Sequence, residues 1–207
     1  MTVRWKPLLI LSGLFVAVAV VGVIAISSTL APPSAQSVLK QARAARESGR
    51  LADAEIYYKQ ALQADSRNAA IYEEFAELYE EMLKAAPAER REALRGEWTD
   101  HLIKAVRFDK NLKGPRVRLL RQAMEDDVAQ DAVVWAREVA LIDPENADAA
   151  FVQAFAALES RTPNLAEVRK NLDVMTAAGA PEVRRLLIQA RLAAATNDVP
   201  ARDAALA

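Results

Sequence analysis

The chain begins with an apolar run and then changes to a helical pattern that repeats almost to its end. Residues 8–26 carry no charge, and only Ser12, Gly13 and Gly22 interrupt the aliphatic and aromatic side chains. Extension to Leu30 adds three hydroxyl residues and still no charge. A helix of that length spans roughly 29–35 Å, about the hydrocarbon thickness of a bilayer. The run therefore predicts a transmembrane helix over 8–30, after a short segment 1–7. A cleaved signal peptide is the rival reading, but the run is longer than a signal core and its small-residue sites at Ala31 and Ala35 are badly placed. Arg4 and Lys6 precede the run and 31–39 is neutral, which puts the N-terminus in the cytoplasm. Lys40, Arg43 and Arg46 pull the other way. The expected location is the cell inner membrane, single-pass, with the remainder in the periplasm.

Beyond a linker at 31–34, nearly every segment has helical periodicity. Helices are predicted at 35–48, 52–64, 69–85, 88–108, 115–126, 129–141, 146–159, 165–178 and 181–195. Gly49, Pro87, Gly114–Pro115, Asp143–Pro144, Thr162–Pro163 and Gly179–Pro181 punctuate them. No sustained strand alternation and no Asn-Gly or Asp-Gly turn occurs. The apolar side of the last helix (Val183, Leu186, Leu187, Ala190 and Ala194) is expected to cover the open end of the stack. Residues 196–207 read as a flexible tail.

Two stripes stand out. Ala54, Tyr57, Tyr58, Ala61 and Leu62 precede Asp65-Ser66-Arg67-Asn68; Ala132, Trp135, Ala136, Val139 and Ala140 precede Asp143-Pro144-Glu145-Asn146. Small residues let antiparallel helices approach closely, and aromatics fill the space beside them. On these residues the segment 35–68 resembles a tetratricopeptide repeat (TPR). Gly49 lies in its inter-helix turn, and Ala54, Tyr58 and Ala61 match the family's small–aromatic–small positions. Segment 113–146 resembles a second copy, with Asp127 where the family has glycine and Ala136 where it has an aromatic. The stretch between is a looser copy lengthened by ten residues around Leu83–Leu94, and 147–178 resembles a degenerate fourth. The resemblance implies an all-α fold: a single transmembrane helix followed by a right-handed TPR-like solenoid of antiparallel helix pairs over 35–195. The plan is similar to small bacterial membrane-anchored TPR proteins, some of which assist cytochrome c or nitrite reductase assembly, or accompany the translocation channel.

Composition narrows the chemistry. The chain has 207 residues, no cysteine and one histidine, which excludes thiol nucleophiles, thiolate-bound zinc and multi-histidine zinc sites. There is no glycine-rich phosphate loop and no Gly-x-Ser-x-Gly elbow. Glu73, Glu77, Glu80 and Glu81 share a helix side and read as a solvated acidic face. His101 reads as a surface histidine with Glu97 one turn before it. The arginine clusters at 90–95 and 116–121 do not make a nucleic-acid surface, because after residue 30 acids outnumber bases, 28 against 25. They are expected to pair with neighbouring acids or dock a protein. Lys40, Arg43 and Arg46 are a lesser candidate for lipid headgroup contact.

The expected function is that of a membrane-anchored scaffold for protein–protein interaction, assembling or chaperoning envelope or membrane-complex partners. The alternative is a fixed accessory subunit of a large membrane complex. No enzyme activity, cofactor, metal or nucleic acid is expected; the partners are proteins, with the bilayer met through 8–30. In TPR-like stacks the first helix of each pair lines the binding surface. The candidate protein-binding residues are accordingly Gln41, Tyr72, Glu73, Tyr79, Arg116, Gln122 and Phe151. Tyr72 and Tyr79 read more readily as inter-repeat core than as ligand contacts.

Overall fold

The structure, a computed structural model, describes residues 34–206. Ten helices follow one another among the described residues: α1 (Ala35–Glu47), α2 (Leu51–Ala64), α3 (Ala69–Ala85), α4 (Ala88–Phe108), α5 (Lys113–Glu125), α6 (Ala129–Ile142), α7 (Ala147–Glu159), α8 (Leu165–Ala177), α9 (Glu182–Ala195) and α10 (Val199–Leu206). Each odd-numbered helix packs most extensively on the even-numbered helix that follows it, giving five consecutive pairs. The result is an all-α stack of helix pairs.

The transmembrane helix expected over 8–30 lies outside the described residues, as does the segment 1–7. Among the described residues no helix is long and apolar enough to cross a membrane. The longest, α4, carries Glu89, Arg90, Arg91, Glu92 and Arg95 in its first half, too much charge to enter hydrocarbon. The expectation is corrected accordingly. The described residues carry the helix-pair solenoid alone. The membrane-anchored family type, the bilayer as partner and the inner-membrane localisation have no support in them.

Local chemistry explains the turns. Within the first and third pairs, and after α8 and α9, the chain turns through a left-handed residue: Gly49 (φ 75°), Asp127 (φ 56°), Gly179 (φ 66°) and Asn197 (φ 57°). Behind each, an amide reaches back to the last turn of the helix, Arg50 N–H to Ala45 O at 2.9 Å and Val128 N–H to Ala123 O at 3.0 Å. Glycine takes this conformation without strain, and Asp and Asn tolerate it best among the others. Ahead of α3 and of α7, an asparagine starts the helix. Asn68 Oδ1 accepts from Ile71 N–H at 3.4 Å, and Asn146 Oδ1 from Ala149 N–H at 3.0 Å. Each also donates to the aspartate three residues before it, Asp65 at 2.9 Å and Asp143 at 3.1 Å. Lys113 sits 2.8 Å from Asp143 and, with Asn146, holds that carboxyl below its ordinary range.

The core runs along the stack. Ala54, Tyr58 and Ala61 of α2 are fully buried against α1 and α3, and Ala136 and Val139 of α6 against α5 and α7. Ala76, Leu102 and Leu119, with Trp98 and Trp135 beside them, join the second pair to the third. Helices α7, α8 and α9 close around Val168, Met175 and Ile188. At the end of the stack the expectation needs revision. Val183 and Leu187 of α9 face out, and Ile188, Ala190 and Ala193 face in. Residues 199–206, read from sequence as part of a flexible tail, form α10 and pack on α9 as a fifth pair.

A longer repeat is superimposed on the pairs. Helices α1, α2 and α3 start at residues 35, 51 and 69, and α5, α6 and α7 each start 78 residues later. Ala45, Ala54, Asp65, Asn68 and Ala76 thus recur as Ala123, Ala132, Asp143, Asn146 and Ala154.

Candidate protein-binding surface

Ion pairs bind the odd-numbered helices into one continuous face. Arg43 of α1 meets Glu74 of α3 at 2.5 Å. Arg46 meets Glu77 at 3.0 Å and Glu81 at 2.7 Å. Glu77 also accepts from Arg118 of α5 at 2.9 Å. Arg121 of α5 and Arg184 of α9 both grip Asp148 of α7, at 3.1 and 2.6 Å, and Arg191 of α9 pairs with Glu159 of α7. Successive odd helices therefore alternate in sign: basic, acidic, basic, acidic, basic. The glutamates of α3 are not the solvated face read from sequence. Arginines from both neighbours engage them in the half-buried seams. Burial works against ionisation of Glu77, but the hydrogen bonds from Arg118 and Arg46 outweigh it and hold the carboxyl below its usual range. Arg43 and Arg46, considered for lipid headgroups, are occupied by α3.

The candidate residues separate into three groups. Tyr72 and Tyr79 point away from the odd-helix face, into a cluster around His101 of α4. His101 lies 5.8 Å from the Tyr72 ring, 5.3 Å from Tyr79 and 4.3 Å from Phe75, centroid to centroid. Both hydroxyls are satisfied inside the protein, Tyr72 donating to Ser66 O and Tyr79 to Glu55, each at 3.2 Å. Burial, with Glu55 beside it, raises the Tyr79 phenol well above its ordinary value. Arg116 is likewise internal. Only 3% exposed, it donates to Leu112 O at 2.8 Å, with Glu138 of α6 at 3.5 Å. Gln122 accepts from Thr99 of α4 at 3.0 Å and is half-buried at the pair seam. The odd-helix face keeps Gln41, which is exposed, Glu73, half-buried against Gly114, and Phe151. Burial raises the Glu73 carboxyl above its usual range. The seven residues do not converge on one site.

What the structure brings together lies around Phe151. Its ring is covered by the Arg184 guanidinium at 5.2 Å, and one turn on, Arg191 covers Phe155 at 4.4 Å. Arg121, Met124, Asp148, Phe151 and Arg184 line a groove of about 500 Å³ across α5, α7 and α9. Phe151 and Met124 also line a second, more apolar groove of about 570 Å³ between the α5–α6 turn and α7. Met124 and Arg184 were missed as surface residues. The signal was faint: an aliphatic and an arginine at helical spacing are ordinary core and rim residues until their neighbours are known.

His101 also departs from expectation. It is 6% exposed, and its Nδ1 lies 2.7 Å from the Glu97 carbonyl rather than the carboxylate. Burial lowers its pKa and keeps the ring neutral. Among the described residues no group of His, Cys, Asp and Glu is placed to hold a metal.

The helix-pair stack is the fold of TPR-type solenoids, and comparison with solved structures supports that class. YrrB, a TPR protein with an unusual peptide-binding site, aligns over 88% of this chain and 88% of its own, at 16% identity and a TM-score of 0.60. The MamA protein aligns over 83% and 86%, at 16% identity and a TM-score of 0.57. The structure from a functional characterization of Pseudomonas aeruginosa pilF aligns over 84% and 74%, at 18% identity and a TM-score of 0.55. At such identities the likeness is one of fold. No protein-family model and no curated protein matches the sequence.

Proposed function

We propose that the chain is a protein-binding scaffold whose recognition surface is the face built by the odd-numbered helices. The observation that carries this reading is the groove across α5, α7 and α9. There a half-buried aromatic, Phe151, lies beneath Arg184, with Met124 and Arg121 alongside. An aromatic anchor ringed by arginines suits a peptide segment: apolar contact gives affinity and the guanidinium groups give orientation. YrrB, a TPR protein of the same fold, has a peptide-binding site, which supports the reading. Gln41, Glu73 and Phe151 belong to this face in the proposal; Tyr72, Tyr79 and Arg116 serve the core.

Site-specific photo-crosslinking in the producing cells tests it. A photoreactive residue in place of Arg121 reports on the odd-helix face, and one in place of Val134, exposed on α6, reports on the opposite side. Discrete protein adducts from position 121 and none from 134 are expected. Equal labelling from both positions, or no adduct from 121, would overturn the proposal.

A further inference from the structure

The two halves of the stack differ in the side chains that line equivalent seams. Under the offset of 78 residues, the seam between the first pair and α3 corresponds to the seam between the third pair and α7. In the first seam Arg46 closes on Glu77 and Glu81, and Leu51 and the fully buried Leu78 fill the space behind. The corresponding residues of the second seam are Met124, Phe155, Glu159, Ala129 and Ala156. An ionic clasp has become a methionine beside a phenylalanine, and two leucines have become alanines. Freed from any counterpart of Arg46, Glu159 turns to Arg191 of the next odd helix. Where those side chains fill the first seam, the second holds an apolar groove of about 570 Å³ lined by Met124, Ala129, Ala156 and Phe155. Asp127 and Glu159 stand on its lining; Glu159 is held by Arg191, and Asp126, next to Asp127, by Arg95 at 2.8 Å, which leaves Asp127 as the acid that a ligand can meet there.

Apolar walls with a carboxylate at the edge select their ligand by charge as well as by shape. We infer that this groove takes a peptide segment of a protein partner that inserts apolar side chains against Met124 and Phe155 and sets a lysine or arginine beside Asp127. The inference rests on the scaffold reading and names the chemistry of its partner. Met, with its unbranched thioether, and Phe, able to turn about two torsions, accommodate aliphatic or aromatic insertions. The basic flank answers Asp127.

The test converts the second seam into the first. A displayed random dodecapeptide library is selected on the full-length chain. Selected peptides are then measured against A129L/A156L, which refills the groove with the first seam's leucines, and against M124R, which restores its clasp opposite Glu159. Selected peptides are expected to combine apolar residues with Lys or Arg. Their binding should weaken by about tenfold or more on either variant, with the thermal midpoint kept or raised. Asp127→Asn, which keeps a residue tolerant of the left-handed turn, should weaken them about threefold, less so in high salt. Because two variants alter the groove by different chemistry, failure of one to fold leaves the other decisive. Peptides that bind both variants unchanged, or whose charged residues are acidic, overturn the groove assignment. If those peptides are instead lost on Arg184→Ala, the scaffold reading stands without it. No selected peptide, together with no adduct from position 121, ends both.

Discussion

His101 stands edge-on to Phe75, ring centroids 4.3 Å apart and planes inclined at 72°, in the seam between α3 and α4. Tyr72 and Tyr79 close the same ring from either side. The chain's one histidine is therefore a packing element, and its protonation opposes the fold.

Stability should fall on mild acidification for this reason. The folded pKa of His101 lies below its ordinary 6.5, chiefly through burial, so in acid the unfolded chain binds the proton that the folded one refuses. The contribution is intact above the unfolded pKa and is lost progressively as pH falls below it. Urea midpoints between pH 7.5 and 5.5 should drop more for the natural chain than for His101→Phe. Parallel curves would show that the ring carries no such penalty.

Tyr58 is fully buried and stacked on Phe75 at 5.2 Å, its hydroxyl 3.4 Å from Glu74. Burial, aided by Glu74, pushes its phenol up to about 12. Tyr58→Ala should cost about 3–5 kcal/mol, because the ring volume cannot be replaced. Tyr58→Phe removes one long hydrogen bond and should cost less than about 1.5 kcal/mol. Equilibrium denaturation of both variants measures the separation.

The turns at Gly49 and Asp127 should respond in opposite directions. Gly49→Ala puts a Cβ on a residue at φ 75° and should destabilise by roughly 1–2 kcal/mol. Asp127→Gly relieves φ 56° at the equivalent turn and should be stabilising or neutral, against the usual penalty for introducing glycine. Thermal midpoints of the pair decide this.

Asp148 holds Arg121 and Arg184 together and lies in the first turn of α7, where a negative charge also favours the helix. Asp148→Asn should cost about 1–2 kcal/mol in low salt, less in 1 M salt, because Arg121 and Arg184 remain partly in water. A double-mutant cycle with Arg184→Ala should show coupling of about 0.5 kcal/mol or more. Additive effects would mean that the pairs are decorative.

Much of the fold was legible because its signals are local. The nine helices read from the sequence lie within about two residues of the observed ends, since Asn68, Asn146, Gly49 and Gly179 act on backbone groups a few residues away. The inward faces of α2 and α6 were legible for the same reason: Ala54, Tyr58 and Ala61, like Ala132, Ala136 and Val139, mark one side of a helix by periodicity alone. At α10 the signal was missing, because eight residues of alternating small, polar and charged character become helical against α9, not by themselves. The surface was another matter. Tyr72 and Phe151 occupy first helices alike, yet one is sealed by His101 and Phe108, the other left beneath Arg184. Helical spacing says which residues share a side. The side chains arriving from helices 30 or more positions away, Arg46 to Glu81 or Arg184 to Asp148, decide whether that side is clasped shut or left open.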